Sequence, residues 1–232
     1  MLRGVLFDFD GTLADSFEAI AHSVNHVRLV NALPELKFDE IKRNVGHGLD
    51  HLMRKMLPGS DLDQAKIAYH EHHKRHMKQN TRLYPYVLDF LEKLKTCGIS
   101  MGICSNKPVG FTVDLVQHLG IDHYFKVVLG PEDVPAPKPA PDMLWEAAKR
   151  LVINHDELVY VGDMDIDIKA SNAAGIEAWI VRHDDTAFEI SEKIAEANIY
   201  KSFLEIQNRN AFLFCDSNKR WIADGIQSNQ SH

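Results

Sequence analysis

The chain has 232 residues, 45% hydrophobic and 25% charged, with 26 Lys/Arg against 33 Asp/Glu and a formal net charge of −7. These values exclude an overall disordered or collagen-like chain, and the acidic balance argues against broad nucleic-acid binding. No apolar run reaches the ~18 residues of a membrane span, and three scattered cysteines without a CxxC pair point to reduced thiols in a cytoplasmic setting.

In chain order, Gly4–Phe9 is a short apolar run that stops in Asp10-Gly11-Thr12 and predicts a buried strand. Its carboxylates keep it from reading as a signal peptide. From Asp15 to Arg82 the pattern is helical, with helices expected over Ser16–Asn31, Phe38–Asn44, Leu49–Leu57 and Leu62–Lys78 and no convincing strand. Strand-like runs return at Ile99–Cys104, Phe125–Leu129, Leu158–Val161 and Ile176–Val181. They alternate with helical spacings at Val87–Leu94, Val113–Leu119, Met143–Leu151 and Ile166–Ala174. Alternation of this kind predicts an α/β fold, a Rossmann-like parallel sheet core, with the all-helical block as an insertion. The expected division is a discontinuous core (1–14 and 83–208), a helical cap (15–82) and a C-terminal extension (209–232). In the extension, Ala211–Cys215 reads as an edge strand and Gln227–His232 as a frayed tail.

The chemistry concentrates at the ends of the apolar runs. Asp8 and Asp10 stand two apart after a buried strand, where carboxylates are expensive unless they bind a cation or react. A hard ion such as Mg2+ wants oxygen ligands of this kind. Gly11 allows a sharp turn there, and Ser16 reads as the N-cap of the next helix. Asp163 and Asp167, four apart after Leu158–Val161, repeat the arrangement; a helix starting there would aim both at one site, with Asp165 pointing elsewhere. Ser105-Asn106-Lys107-Pro108 and the proline-braced Lys138 fall after intervening runs.

Taken together, Asp8-x-Asp10-Gly11-Thr12, Ser105, Lys138 and Gly162-Asp163-x-x-x-Asp167 resemble the four motifs of the haloacid dehalogenase superfamily, over about residues 3–208. Gly46-His47-Gly48 and Ser105–Pro108 are similar to its phosphoglycolate phosphatase-like branch. The resemblance implies that Asp8 is the nucleophile and forms an aspartyl-phosphate. It makes Asp10 the general acid and then the base, with mutual crowding favouring a proton on Asp10. It assigns Mg2+ to Asp8, the Asp10 backbone carbonyl and Asp163, with Asp167 supporting them. Ser105 and Lys138 would hold the phosphoryl group, and Thr12 and the Asn106 backbone would add phosphate contacts. His47 would touch the substrate. The implied reaction is hydrolysis of a small soluble phosphomonoester, 2-phosphoglycolate being the best single choice. Asp10 argues for phosphate chemistry over carbon–halogen cleavage, because dehalogenating members lack it.

Other readings share the motifs: a phosphatase for a sugar phosphate, nucleotide or pyrophosphate, a β-phosphoglucomutase-like mutase, or a non-catalytic phospho-acceptor switch. The expected partner is a small phosphorylated metabolite, with no nucleic acid or membrane, in a monomer or homodimer. Eight of the thirteen histidines lie between Asp15 and Arg82. The i,i+4 pairs His22/His26 and His72/His76 lack a Cys or well-spaced acid to complete a metal set, and Tyr69–His76 reads as the polar face of a helix. The charge divides unevenly: +2 over 15–82 and −9 over the remainder, a mildly basic block over an acidic core.

Overall fold

The computed structural model describes residues 1–183 and 199–211. Strand β1 (Gly4–Phe7) is entirely buried, which explains its unbroken apolar sequence. It pairs in parallel with β4 (Ser100–Cys104) on one side and β6 (Leu158–Gly162) on the other. The sheet extends through β5 (Phe125–Leu129) at one edge and through β7 (Glu177–Val181) and β8 (Ile199–Tyr200) at the other. Its order is β5-β4-β1-β6-β7-β8, every pair parallel. The direction of winding reverses between β1 and β6, and open α/β sheets bind ligands in the crevice beyond the strand ends at that reversal. Asp8 follows β1 and Asp163 follows β6, so topology alone brings them together.

Alternate side chains of β1 enter two cores. Val5 and Phe7 face α5 (Val87–Thr96), α6 (Val109–His118) and α9 (Phe203–Arg209), whereas Leu6 faces α7 (Asp142–Leu151) and α8 (Asp165–Ala174). Phe7 meets Phe90, Phe125 and Phe203 at ring-centroid distances of 6.1–6.3 Å. Truncating so buried an aromatic costs about 3–5 kcal/mol.

Between β1 and α5 the chain forms α1 (Phe17–Val30), α2 (Phe38–Lys42), α3 (Leu49–Met56) and α4 (Leu62–His76). The chain enters and leaves this block through a ribbon absent from the sequence expectation: β2 (Ala14–Asp15) pairs antiparallel with β3 (Arg82–Leu83). Two-residue strands carry no readable periodicity. α4 also departs from a simple polar face, because Tyr69, His72 and His73 are buried. Of the expected strand over 211–215 and tail over 227–232, all but Ala211 lie outside the described residues.

Candidate active site

The turn after β1 sets the first carboxylates. Gly11 has φ +85°, and a Cβ there would collide with the Asp163 carboxylate, so the turn needs glycine to reach the neighbouring strand end. Asp8 is buried; its backbone N–H bonds the Val161 carbonyl at 2.9 Å and its Oδ1 accepts from the Phe9 N–H at 2.7 Å. Lys138 Nζ lies 3.0 Å from Asp8 Oδ2, and Ser105 hydrogen-bonds the same carboxylate. Burial pushes Asp8 up to about 6, Asp167 adding to the rise while Lys138 and Ser105 oppose it.

Lys138 is enclosed. Its ammonium donates to Tyr160 Oη at 2.6 Å and Asp167 Oδ1 at 2.8 Å besides pairing with Asp8, which uses all three protons. Burial opposes its charge, but Asp167 and Asp8 outweigh burial and hold it above the ordinary lysine range. Its backbone is fixed by Asn106: Oδ1 accepts from the Lys138 N–H at 3.0 Å and Nδ2 donates to the Lys138 carbonyl at 2.8 Å. The same Nδ2 donates to the Gly46 carbonyl at 3.0 Å, joining the helical block to the core. Gly46 has φ +104°, and a Cβ there would strike the Met164 sulfur.

Asp167 caps the start of α8, its Oδ2 accepting from the N–H groups of Asp163 (3.1 Å) and Met164 (3.0 Å). Asp163 precedes α8, so the pair converges through this capping contact rather than through one helix face. Burial, then Asp167 and Asp8, raise Asp163 well above the usual carboxylate range. Donor oxygens of Asp8, Asp163 and Asp167 lie within 4.8 Å of one another, all buried. When ionised, three carboxylates against the one lysine leave two negative charges in a dry site. A hard divalent cation with oxygen ligands fits that donor set.

Asp10 has a separate environment. Lys107 Nζ sits 3.1 and 3.2 Å from its two oxygens, and Ser16 donates to Oδ1. Ser16 therefore stands at the N-cap position without capping; Asp15 Oδ1 accepts from the Phe17 N–H instead. The neighbouring carboxylate that adds to the rise at Asp8 is Asp167.

Thr12 and His47, expected as phosphate or substrate contacts, have distinct surroundings. Thr12 is fully buried and donates to Asp163 Oδ1 at 2.7 Å, so its hydroxyl orients a carboxylate. His47 lies outside the cavity that contains Asp8 and Asp10; it lines an outer cavity of about 460 Å³ with Lys66, His70 and Glu132. The inner cavity, about 40 Å³, is lined by Asp8, Asp10, Ser105, Asn106 and Lys107 with Ile20, Leu52, Tyr69 and Phe111. Among the described residues, no backbone carbonyl accepts from the N–H of Asn106. Sequence reasoning did not single out Lys107 and Tyr160: one sits among motif residues that had roles, and the other reads as a core strand residue.

This arrangement has close parallels. A family model for haloacid dehalogenase-like hydrolases matches residues 5–181. The chain belongs to the haloacid dehalogenase-like hydrolases. It is 31% identical over 229 residues to the phosphoglycolate phosphatase of Salmonella typhi, covering 88% of this chain and 91% of that protein. The Yersinia pestis phosphoglycolate phosphatase is 32% identical over 181 residues, 75% of this chain and 78% of its own. Among solved structures, a haloacid dehalogenase-like hydrolase from Bacteroides fragilis superposes with a TM-score of 0.76 at 31% identity, covering 82% of this chain and 92% of that one. A predicted phosphoglycolate phosphatase from Haemophilus somnus reaches 0.79 at 25% identity, covering 89% and 97%. Among the described residues, no helix of this family member is long and apolar enough to cross a membrane.

Proposed function

We propose that the protein is a Mg2+-dependent phosphatase of small soluble phosphomonoesters, with 2-phosphoglycolate as its substrate and residues 15–82 as a cap over the site. The observation that carries this reading is the buried set Asp8, Asp163, Asp167 and Lys138 beside a separate, lysine-paired Asp10. Asp8, Asp163 and the Asp10 carbonyl would hold Mg2+, which supplies charge neutralisation at the transferring phosphoryl group when bound. Asp8 attacks phosphorus as the ester P–O bond breaks, and the leaving oxygen takes a proton from Asp10. Water then attacks the aspartyl-phosphate, Asp10 takes its proton, and Asp8 is released with inorganic phosphate. Ser105 and Lys138 orient the Asp8 carboxylate, and the unengaged Asn106 N–H is available to a phosphoryl oxygen.

The cavity supports a small leaving group. About 40 Å³ leaves room for only a few atoms, and its lining carries one cation, Lys107, among apolar side chains. A second negative charge on the substrate, such as the carboxylate of phosphoglycolate, would meet that lysine. The relatives named phosphoglycolate phosphatase support the same choice.

The test has three arms. Asp8→Asn retains its fold and loses turnover of p-nitrophenyl phosphate; steady hydrolysis by that variant overturns the nucleophile. Excess EDTA stops the wild-type enzyme, and full activity there overturns the metal requirement. A panel of phosphorylated metabolites ranked by kcat/KM places phosphoglycolate first. Lys107→Met then weakens phosphoglycolate turnover about ten- to a hundredfold more than p-nitrophenyl phosphate turnover, the worth of one charge-assisted hydrogen bond.

A further inference from the structure

Two histidine pairs that are distant in sequence meet on the helical block. His22 and His26 stand four apart on α1, and His72 and His76 stand four apart on α4. An i,i+4 histidine pair places two imidazoles on one helix face, an arrangement suited to chelating a transition ion. Here the two faces are juxtaposed: ring centroids are 4.0 Å apart for His26–His72, 4.3 Å for His72–His76, 4.9 Å for His22–His72 and 5.7 Å for His22–His76. His72 is buried at the centre, His76 is half-buried, and His22 and His26 are exposed, so the group opens to solvent.

The central ring also has a contact on α1: Ser23 Oγ, 2.9 Å from the Ala19 carbonyl, lies 3.2 Å from His72 Nδ1 and 3.0 Å from His73 Nδ1. That contact engages Nδ1 of His72, and among the described residues no hydrogen bond engages its Nε2. A partner on one ring nitrogen that leaves the other bare is what orients metal-ligating histidines.

We propose that His22, His26, His72 and His76 form a second metal site, for a borderline divalent transition ion such as Zn2+, Co2+ or Ni2+. Imidazole nitrogens favour such ions, whereas the carboxylate set beside β1 favours a hard ion, so the two sites differ in ligand chemistry. In the structure the rings stack, and their nitrogens do not yet converge. The imidazole χ2 torsion is broad, so the exposed His22 and His26 rings and that of His76 can turn to present nitrogens to an ion beside His72. Ligands on both α1 and α4 make the ion a clip between two helices already joined by side-chain packing and by the Ser23 contacts to His72 and His73. Neither pair completes a set alone; the set exists only because α1 and α4 pack together.

The experiment is a Co2+ titration of the metal-stripped full chain in excess Mg2+, followed by visible absorption and calorimetry. The expected result is one bound Co2+ per chain with the spectrum of nitrogen ligation. His26→Ala and His76→Ala each weaken it at least about tenfold, as loss of a direct ligand should cost no less than loss of a supporting residue. Both variants keep wild-type p-nitrophenyl phosphate turnover in Mg2+, which shows that they fold. His51→Ala, in the separate His47/His51 pair, leaves Co2+ binding unchanged. Wild-type-like Co2+ binding by the His26→Ala/His76→Ala double variant, or loss of binding in His51→Ala, overturns the site. A rise in Tm with Zn2+ in the wild type and none in the double variant is the independent readout; equal rises overturn it as well.

Discussion

Replacing Lys138 by methionine tests whether this lysine is what allows three carboxyls to be buried together. Methionine fills similar volume, so the change removes charge and three donors from Asp8, Asp167 and Tyr160. Deleting one partner of a buried ion pair costs about 3–5 kcal/mol, because the other charge is left in a low-dielectric site. An independent ceiling comes from protonation. A carboxyl can shed its charge by holding a proton, at about 1.36 kcal/mol per pH unit above its ordinary value of 3.8. That ceiling is about 5 kcal/mol per group at pH 7.5 and only about 1.6 kcal/mol at pH 5. Asp8 and Asp163 are already raised in the wild type, and a raised folded-state value favours folding at low pH and disfavours it as pH climbs. The variant should therefore be destabilised by about 3–5 kcal/mol at pH 7.5 and by roughly 1–2 kcal/mol at pH 5. Urea unfolding at both pH values in EDTA, by linear extrapolation, measures the difference. A loss below 1 kcal/mol at pH 7.5, or the same loss at both pH values, would refute the reasoning.

Thr12→Val should weaken Mg2+ activation about ten- to a hundredfold and leave KM at saturating Mg2+ unchanged, since the hydroxyl serves Asp163; a raised substrate KM with normal Mg2+ activation would restore it as a phosphate contact. His73 is pushed down to about 2 by burial and then by Lys107, so its stabilising effect is complete above pH 6.5 and falls as the solution is acidified. Between pH 6.5 and 4.5 that amounts to about 2 kcal/mol, and His73→Gln should flatten the pH dependence of urea midpoints by that amount; identical slopes in both proteins would exclude it. Asn106→Ala should lower kcat more than it raises KM, because it frees the Lys138 backbone without removing the ammonium; an effect confined to KM would place Asn106 on the substrate instead.

The core was legible because β1, β4, β5, β6 and β7 are long enough to show apolar runs, and because carboxylates at the ends of such runs are anomalous. Asp8, Asp163, Asp167, Ser105 and Lys138 converge for that reason. What escaped reading depended on contacts between distant segments. Ser16 looked like a cap, and only the fold shows that its hydroxyl turns back to Asp10. Tyr160 looked like filling for a strand, yet its hydroxyl accepts from Lys138 and donates to the Cys104 carbonyl. His47 stood out by its flanking glycines, whereas Gly46 proves the tighter position, pressed against Met164. The histidine pairs were incomplete as isolated motifs because each needed a helix more than forty residues away.

Asn106 and Lys107, adjacent after β4, join the helical block to both carboxylate groups. Asn106 holds the Lys138 backbone and the Gly46 carbonyl with one amide, so a displacement of that loop is transmitted to the lysine between Asp8 and Asp167. Lys107 pairs with Asp10 and lies 3.5 Å from His73 Nε2, on α4. Ser23 Oγ on α1 lies 3.0 Å from His73 Nδ1, so the same ring also joins α1 to α4. Cationic His73 would repel Lys107 and weaken its grip on Asp10, so burial of a neutral ring there favours the Lys107–Asp10 pair. Withdrawing α1–α4 from the core would remove the Gly46 and His73 contacts together and return Lys107 to water. The charged partners of Asp8 come from the α/β core, whereas the surroundings of Asp10 include the helical block through Ser16 and the Lys107–His73 contact.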